Sequence, residues 1–321
     1  MKRIVQCVPN ISEGKDLEKI AKIVEPLKDQ EGFKLVSYEP DKDYNRTVIT
    51  LLGDPEAMME PLLRFMEKAI EHIDMTVQQG EHPRMGAIDV LPFIPIQGID
   101  MDACVAIANK MGEKIAALLD LPVFMYAEAA LQKGRKRLPA IRKGEFEGMK
   151  DKIKQKAWHP DYGDAEIHPT AGVVGVSARL PLIAYNIDLR TDDSEVAKRI
   201  ARYIRGSSGG FKHVQAGPAF LEDRNHVQVT MNILNYKQNP IYRIIELVKM
   251  EAKRFGVKVM SSEIVGLVPK DTLLRSLKYY FEVEGKTIDD TMTYEELAEL
   301  CEKYLLFRDF SALKIIEANV E

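Results

Sequence analysis

The sequence predicts a mixed α/β fold, α+β in class, built from two copies of one β-α-β-β-α-β unit, the split βαβ arrangement of ferredoxin-like subdomains. Three observations predict it. Short β-branched strands alternate with amphipathic helices along most of the 321 residues. The second half repeats the element order of the first. A helix introduced by Asp-Pro or Asn-Pro recurs at the corresponding place in each half, at Asp54-Pro55 and Asn239-Pro240.

Residues 4–8 and 33–38 read as short strands around a helix with Leu17, Ile20, Val24 and Leu27 on one face. After Asn45, the β-branched run 47–52 ends in Gly53-Asp54-Pro55. Asp before Pro starts a helix: the carboxylate caps a free N–H, and Pro lacks a donor that would be orphaned there anyway. That helix is expected to bury Met59, Leu62, Leu63, Met66 and Ile70. In the second half, 182–189 reads as a strand, and Asp192 with Glu195 has capping-box spacing. Val196, Ile200 and Ile204 share one face of the helix that follows, and Gly206 closes it. Residues 227–233 form the next strand. Asn239-Pro240 then opens a helix carrying Ile241, Ile244, Ile245, Val248 and Phe255, with Gly256 where a C-terminal cap belongs. The junction between halves is expected within 170–181. Two segments interrupt the repeat: 73–86, and the polar, turn-rich stretch 131–168 with a helix near 145–156. Loops of that size in compact domains are often functional. Residues 294–305 form an acidic helix with Leu297, Leu300 and Leu305 on one side, expected to pack or to dimerise.

Composition narrows the function classes. Forty-five Lys and Arg against 49 Asp and Glu give a net charge of −4, which does not suit a dedicated DNA or RNA binder. A small anionic ligand held by a few local arginines fits that balance. The three scattered cysteines, Cys7, Cys104 and Cys301, suit reduced thiols in a cytosol and not a disulfide scaffold or a Cys-based zinc site. The N-terminus reaches Gln6, Pro9 and Asn10 before a signal-like apolar stretch forms. The most apolar window, 87–99, is broken by Asp89, Pro92, Pro95 and Gln97, whereas a membrane span needs about 20 largely apolar residues. A soluble, cytoplasmic protein is expected.

The densest chemical segment is Gly80-Glu81-His82-Pro83-Arg84-Met85-Gly86, running into Ala87-Ile88-Asp89-Val90. Pro83 biases His82 toward extended backbone and stiffens the loop. Asp89 lies inside an apolar strand, where an unpaired carboxylate is costly, so His82 or Arg84 is its expected partner. A histidine poised between a carboxylate and an arginine suits proton transfer at neutral pH, with Asp89 fixing its tautomer. His72, His213 and His226 are read as surface residues. His159 and His168 bracket HPDYGDAEIHP, whose spacing matches no standard metal-ligand motif, so no metal is assigned and a loop closing over a substrate is preferred. Gly206-Ser207-Ser208-Gly209-Gly210 follows a helix instead of opening one, and Gly172-Val173-Val174-Gly175 lacks a third glycine. Neither supports ATP or NAD. No Gly-x-Ser-x-Gly elbow is present, which argues against a serine hydrolase. From the residues alone the reading is an α/β enzyme using His acid–base chemistry on an unspecified substrate.

The run of phrases nevertheless resembles the glutamate formimidoyltransferase family, found also as the front half of formimidoyltransferase-cyclodeaminases. The matching segments are CVPNISEG (7–14), NRTV (45–48), IDM (73–75), GEHPRMGAIDVLPFIP (80–95), EAA (128–130), LPAIRKGEFE (138–147) and WHPDYG (158–163). PTAG with Ala178-Arg179, LIAYNIDL (182–189) and VGLVP (265–269) follow, so the resemblance covers roughly residues 1–280.

The resemblance implies two α/β subdomains whose sheets face each other in a double β-layer, at 1–178 and 179–290, with a helical tail at 291–321. It implies a homodimer, with tetrahydrofolate as co-substrate in a tunnel between the subdomains. The family's catalytic histidine corresponds to His82. Its folate-contacting stretch corresponds to Gly163, Asp164, Ala165, Glu166, Ile167, His168, Pro169, Thr170, Ala171 and Gly172. Arg46, Arg84 and Arg179, each inside a matching motif, are the candidates for binding the carboxylates of glutamate and folate. The implied reaction moves a formimidoyl group from N-formimidoyl-L-glutamate to N5 of tetrahydrofolate in histidine breakdown, with no metal required. With the matching segments ending near residue 280, no cyclodeaminase activity is expected. Two alternatives stay open: a 5-formyltetrahydrofolate–glutamate formyltransferase, and a non-catalytic folate-binding module.

Overall fold

The computed structural model describes residues 3–42, 44–80 and 82–319. The chain divides into two compact units, Met1–Arg179 and Leu180–Glu321.

The first unit runs β1 (Ile4–Cys7), β2 (Asn10–Ile11), α1 (Leu17–Val24), β3 (Phe33–Asp41), β4 (Arg46–Gly53), α2 (Pro55–His72), β5 (Ile88–Gln97), α3 (Met101–Leu119), β6 (Val123–Ala127), α4 (Leu138–Arg142), α5 (Glu145–Lys152) and β7 (Val174–Ala178). The interrupted strand β1/β2 lies between β4 and β5, β3 pairs with β4, and all these neighbours are antiparallel. Beyond β5 the sheet is extended by β7 and then β6, both parallel, the pairing expected where a crossover helix such as α3 joins strands. Residues of α1, α2 and α3 bury one face of this sheet, among them Ile20, Ile23, Met58, Leu62, Met66, Cys104 and Met111. A smaller cluster covers the other face near β5, β6 and β7, where Val90, Phe124 and Tyr126 meet Ile141 of α4 and Met149 of α5.

The second unit runs β8 (Ile183–Leu189), α6 (Ser194–Ile204), β9 (Val214–Leu221), β10 (His226–Ile233), α7 (Ile241–Lys253), β11 (Val259–Val265), α8 (Lys270–Val283) and α9 (Tyr294–Leu305). Its four strands lie in the order β11-β8-β10-β9, all antiparallel. In sequence terms this is fourth, first, third, second, the order that β5, β1/β2, β4 and β3 show in the first unit. The alternate residues Tyr185, Ile187, Val227 and Val229 face a core shared with α6, α7 and α8. The acidic helix α9 joins that core through Leu297, Ala298, Cys301 and Leu305, and Thr293 with Glu296 closes a capping box at its start. All three cysteines are buried and free. No helix among the described residues is long and apolar enough to cross a membrane.

Asp54 caps α2 as expected, accepting from the Glu56 N–H. Four local expectations differ. Leu17, at the first turn of α1, is 57% exposed, and the buried face is carried by Ile20, Ile23 and Val24. The cap of α6 is Asp193, not Asp192, because the helix starts at Ser194 and Asp193 reaches the Glu195 N–H. Asn239 does not cap α7: its amide donates to the Asn235 carbonyl, and the extended Pro240 occupies the cap position. His226 is not a surface residue. It opens β10 on the face opposite Val227, its Nε2 3.2 Å from Asp188 Oδ1, with only 12% of the side chain exposed.

Leu297→Ala removes a side chain with no exposed surface from the second core. It is expected to lower unfolding free energy by about 2–5 kcal/mol, read as a lowered urea midpoint for that unit.

Candidate active site

The loop that carries His82 is stitched to its surroundings from both ends. At its start, the Met75 N–H donates to the Thr170 carbonyl, and Asp74 accepts from the Thr76 N–H and hydroxyl. Asn45, in the left-handed region at φ 48°, then joins two segments. Its Oδ1 accepts from the Gly14 N–H at 2.9 Å, and its Nδ2 donates to the Gln79 carbonyl at 2.7 Å. Gly80 passes so close to the Tyr44 carbonyl that a Cβ there would collide with it.

Beyond His82, Arg84 locks the loop to α5. The Nε donates to Gln78 Oε1, Nη2 to the Gln78 carbonyl and to Glu147, and Nη1 to both Glu145 and Glu147, at 2.7–3.1 Å. All five guanidinium N–H donors are thereby used, and Arg84 is only 7% exposed. Glu145 supplies its carboxylate from a left-handed backbone at φ 54°, uncommon for a residue with a side chain. The Phe146 N–H closes the contact by donating to the Arg84 carbonyl.

Residues 85–87 pair with 171–173, the Ala87 N–H donating to the Ala171 carbonyl and the Val173 N–H to that of Met85. Gly86 and Gly172 permit this approach; a Cβ on either would strike the facing carbonyl oxygen. The stretch 168–172 is itself a tight hairpin, with His168 and Gly172 exchanging backbone hydrogen bonds and His168 Nδ1 accepting from the Ala171 N–H. So the expected folate-contacting segment is joined at its end, through Thr170, Ala171 and Gly172, to the loop of His82. Its earlier residues Asp164 and Glu166 are exposed, and Glu166, Ile167 and Pro169 border a cleft of about 390 Å³ with Phe146, Lys150 and Lys154.

The His82 ring meets Tyr44 edge-on, at 6.4 Å between centroids, and the Arg46 guanidinium lies 5.7 Å from the same tyrosine ring. Burial, followed by the charges of Arg46 and Arg142, pulls the His82 pKa down to about 4. The imidazole is therefore neutral at pH 7, with its acceptor nitrogen unprotonated and its basicity lowered. Arg142 ends α4, a position that sequence reasoning passed over although it lies inside the LPAIRKGEFE match.

Arg142, not His82 or Arg84, is the partner of Asp89. The carboxylate is 1% exposed and pairs with Arg142 Nη2 through Oδ2, while Oδ1 accepts from the Met85 N–H at 3.0 Å. The pairing follows from strand geometry. Across β2 and β5, Asn10 faces Val90 and Ile11 faces Ile88, so Asp89 sits in a break of register between them. A bulge of this kind re-aims a side chain, here toward α4. Burial pushes the Asp89 carboxyl up, and Arg142, the Met85 N–H and Arg46 oppose that shift.

The arginine candidates separate on the same grounds. Arg84 is committed to the chain's own glutamates and has no donor left for a ligand. Arg179 follows β7 with its N–H on the Phe93 carbonyl, and its half-buried side chain is engaged by the Tyr126 hydroxyl. The buried Nε of Arg46 and that of Arg142 have no hydrogen-bond partner among the described residues. Among the described residues, no group of three or more His, Cys, Asp or Glu side chains is arranged to hold a metal ion. The site thus combines a neutral imidazole with two guanidinium groups and one buried carboxylate, a setting for proton transfer beside an anionic ligand.

Arg84→Lys keeps the charge but offers three donors in place of a planar fork of five. It is expected to lower unfolding free energy by about 1.5–3 kcal/mol and to speed amide exchange at Phe146, measured by urea unfolding and hydrogen exchange.

The comparisons with known proteins agree across both units. The family model for the formiminotransferase domain, N-terminal subdomain, matches residues 4–179, and that for the formiminotransferase domain matches residues 184–307. The chain is 45% identical over 284 residues to a glutamate formimidoyltransferase of Streptococcus pyogenes serotype M1, covering 88% of this chain and 95% of that protein. It is 42% identical over 284 residues to one of Thermoplasma acidophilum, covering 88% and 93%. To the formimidoyltransferase-cyclodeaminase of Rattus norvegicus it is 39% identical over 290 residues, covering 88% of this chain and 53% of that protein. Matches of this extent over both units show that the chain belongs to the formiminotransferase family.

Proposed function

We propose that this chain transfers a formimidoyl group between N-formimidoyl-L-glutamate and N5 of tetrahydrofolate, a step of histidine breakdown, with His82 as general acid and base. The observation that carries the reading is the neutral, half-buried imidazole of His82 held beside Arg46 and Arg142 in a loop fixed from both ends. In the reaction an amine attacks the amidine carbon. A C–N bond forms, the attacking nitrogen gives its proton to His82, and the tetrahedral centre collapses. The bond to the glutamate nitrogen breaks as His82 returns the proton to it, so the enzyme ends as it began. A well-placed acid–base group of this kind is worth about 10²- to 10⁴-fold in rate, and holding both substrates together contributes further through proximity.

Tetrahydrofolate is the co-substrate in this reading, contacted by Gly163–Gly172, with Arg46 and Arg179 as ligands of substrate carboxylates. Arg84 acts through Glu145 and Glu147 as a positioning residue. The common fourth-first-third-second strand order supports ferredoxin-like subdomains, which by family resemblance would present facing sheets and assemble as a cytoplasmic homodimer.

The test is to mix the protein with tetrahydrofolate and N-formimidoyl-L-glutamate, acidify, and read methenyltetrahydrofolate by absorbance. His82→Ala is expected to lower kcat by about 10²- to 10⁴-fold. Product from 5-formyltetrahydrofolate and glutamate, with none from the formimidoyl donor, would replace this reading with formyl transfer. The pH profile is a second check. His82 is a neutral base above its pKa and is lost as a base when protonated below it. The acidic limb of kcat/KM is therefore expected well below the ordinary histidine value of 6.5, near 4.

A further inference from the structure

We propose that Arg46 and Arg142 together seat the α-carboxylate of the glutamate donor, with Asp89 as the positioning residue that holds Arg142 in place for it. This rests on the function proposed above and names the part of the substrate that these residues take.

Four observations support the seat. The two arginines come from unrelated elements, the first residue of β4 and the last of α4, yet both bring positive charge to bear on His82. Arg142 presses on Arg46: burial and then the charge of Arg142 pull the Arg46 guanidinium below its ordinary range. Arg142 uses Nη2 to pair with the buried Asp89 carboxylate, whose charge also acts on Arg46. Both Nε groups are buried and lack a hydrogen-bond partner among the described residues. Arg84, a few positions from His82, shows the contrast, since all five of its donors are filled from within the chain. Burying a guanidinium without full pairing is unfavourable, and a planar carboxylate relieves it by accepting two parallel N–H bonds.

The geometry of the reaction assigns the carboxylate to the donor. His82 has to reach the glutamate nitrogen as it leaves, and in N-formimidoyl-glutamate only Cα separates that nitrogen from the α-carboxylate. The carboxylates of folate lie beyond its aminobenzoyl ring, far from N5. A cationic seat adjoining His82 therefore matches the donor's α-carboxylate.

The seat also couples binding to proton transfer. Among the described residues, Arg46 on β4 and Arg142 on α4 bring charge to bear on His82 and Tyr44 meets its ring, while Asp41 at the end of β3 and Asp89 on β5 act on Arg46 in turn. Glu81 lies outside the described residues. A bound carboxylate offsets the two guanidinium charges, so His82 holds a proton more readily once the donor is in place, when the leaving amine needs one.

The experiment has two arms. Steady-state kinetics on Arg46→Lys and Arg142→Lys, which keep a charge beside Asp89, are expected to raise the donor KM by about 10- to 100-fold while the tetrahydrofolate KM stays within about twofold. A raised tetrahydrofolate KM with an unchanged donor KM, or no change in either, overturns the seat. In the second arm, NMR titration of the His82 imidazole with and without saturating L-glutamate is expected to show its pKa rising by about 1 pH unit. That rise is expected to be lost in Arg46→Gln. If the wild type transfers no formimidoyl group yet L-glutamate still moves the His82 titration, the reaction is wrong and the seat stands. If L-glutamate leaves the titration unmoved, the seat is wrong whatever the activity.

Discussion

A carboxylate buried inside a sheet has to be answered by a cation, and in the first unit that requirement organises the site. Asp89 interrupts the apolar run of β5 at a break in strand register, which turns it toward α4 and the Met85 N–H. Arg142 answers it, so the short helix α4 has a fixed end. A buried pair of this kind adds little net stability, because desolvating both charges offsets most of their attraction, but removing one partner is strongly unfavourable. Its effect is to make one arrangement of β5, α4 and residue 85 far better than the alternatives.

The loop of His82 relies on a second kind of constraint, close backbone approach. Gly80 against Tyr44 and Gly86 against Val173 leave no room for a side chain, and Gly172 closes the same contact from the other strand. Arg84 then fastens the far side of the loop to α5. Both anchors lie within four residues of the imidazole, so its position is set by the surrounding backbone more than by bonds of its own. The low basicity of His82 follows from that placement, since half-burial and two neighbouring guanidinium groups act in the same direction.

The second unit shows a buried aspartate answered by several donors at once. Asp188 on β8 is also 1% exposed, and it accepts from Ser261, Gln228 and Arg308, with His226 beside it. Burial pushes its carboxyl up, but those donors outweigh burial and hold it below the ordinary range. Arg308 completes its own pairing with Glu263. The network ties the segment after α9 to the sheet. Among the described residues, the one ion-pair partner of Asp89 is Arg142, and the Nε groups of Arg142 and Arg46 stay unfilled beside His82.

The sequence by itself reveals, through local patterns, much of the repeated order of strands and helices, though not α3, β6, β7, β9, β11 or α8. Local rules suffice for that: the alternation 47–52, the Asp54 cap, and the period of Val196, Ile200 and Ile204 all act within a few residues. It also marked the loop around His82, because two glycines, a proline, a histidine and an arginine are crowded into seven positions, and the family phrases pointed to the same place. Local rules went wrong by one position at Asp192 and Asp193, where two adjacent acids compete for one cap. They failed altogether for partners distant in the chain. Arg84 was read as an open fork and is filled by Glu145 and Glu147, about 60 residues away. Asp89 was assigned to its neighbours and pairs with Arg142. Those matches are set by packing in three dimensions, because burial makes a charge seek whichever opposite charge or donor lies within reach, and spacing along the chain does not carry that information.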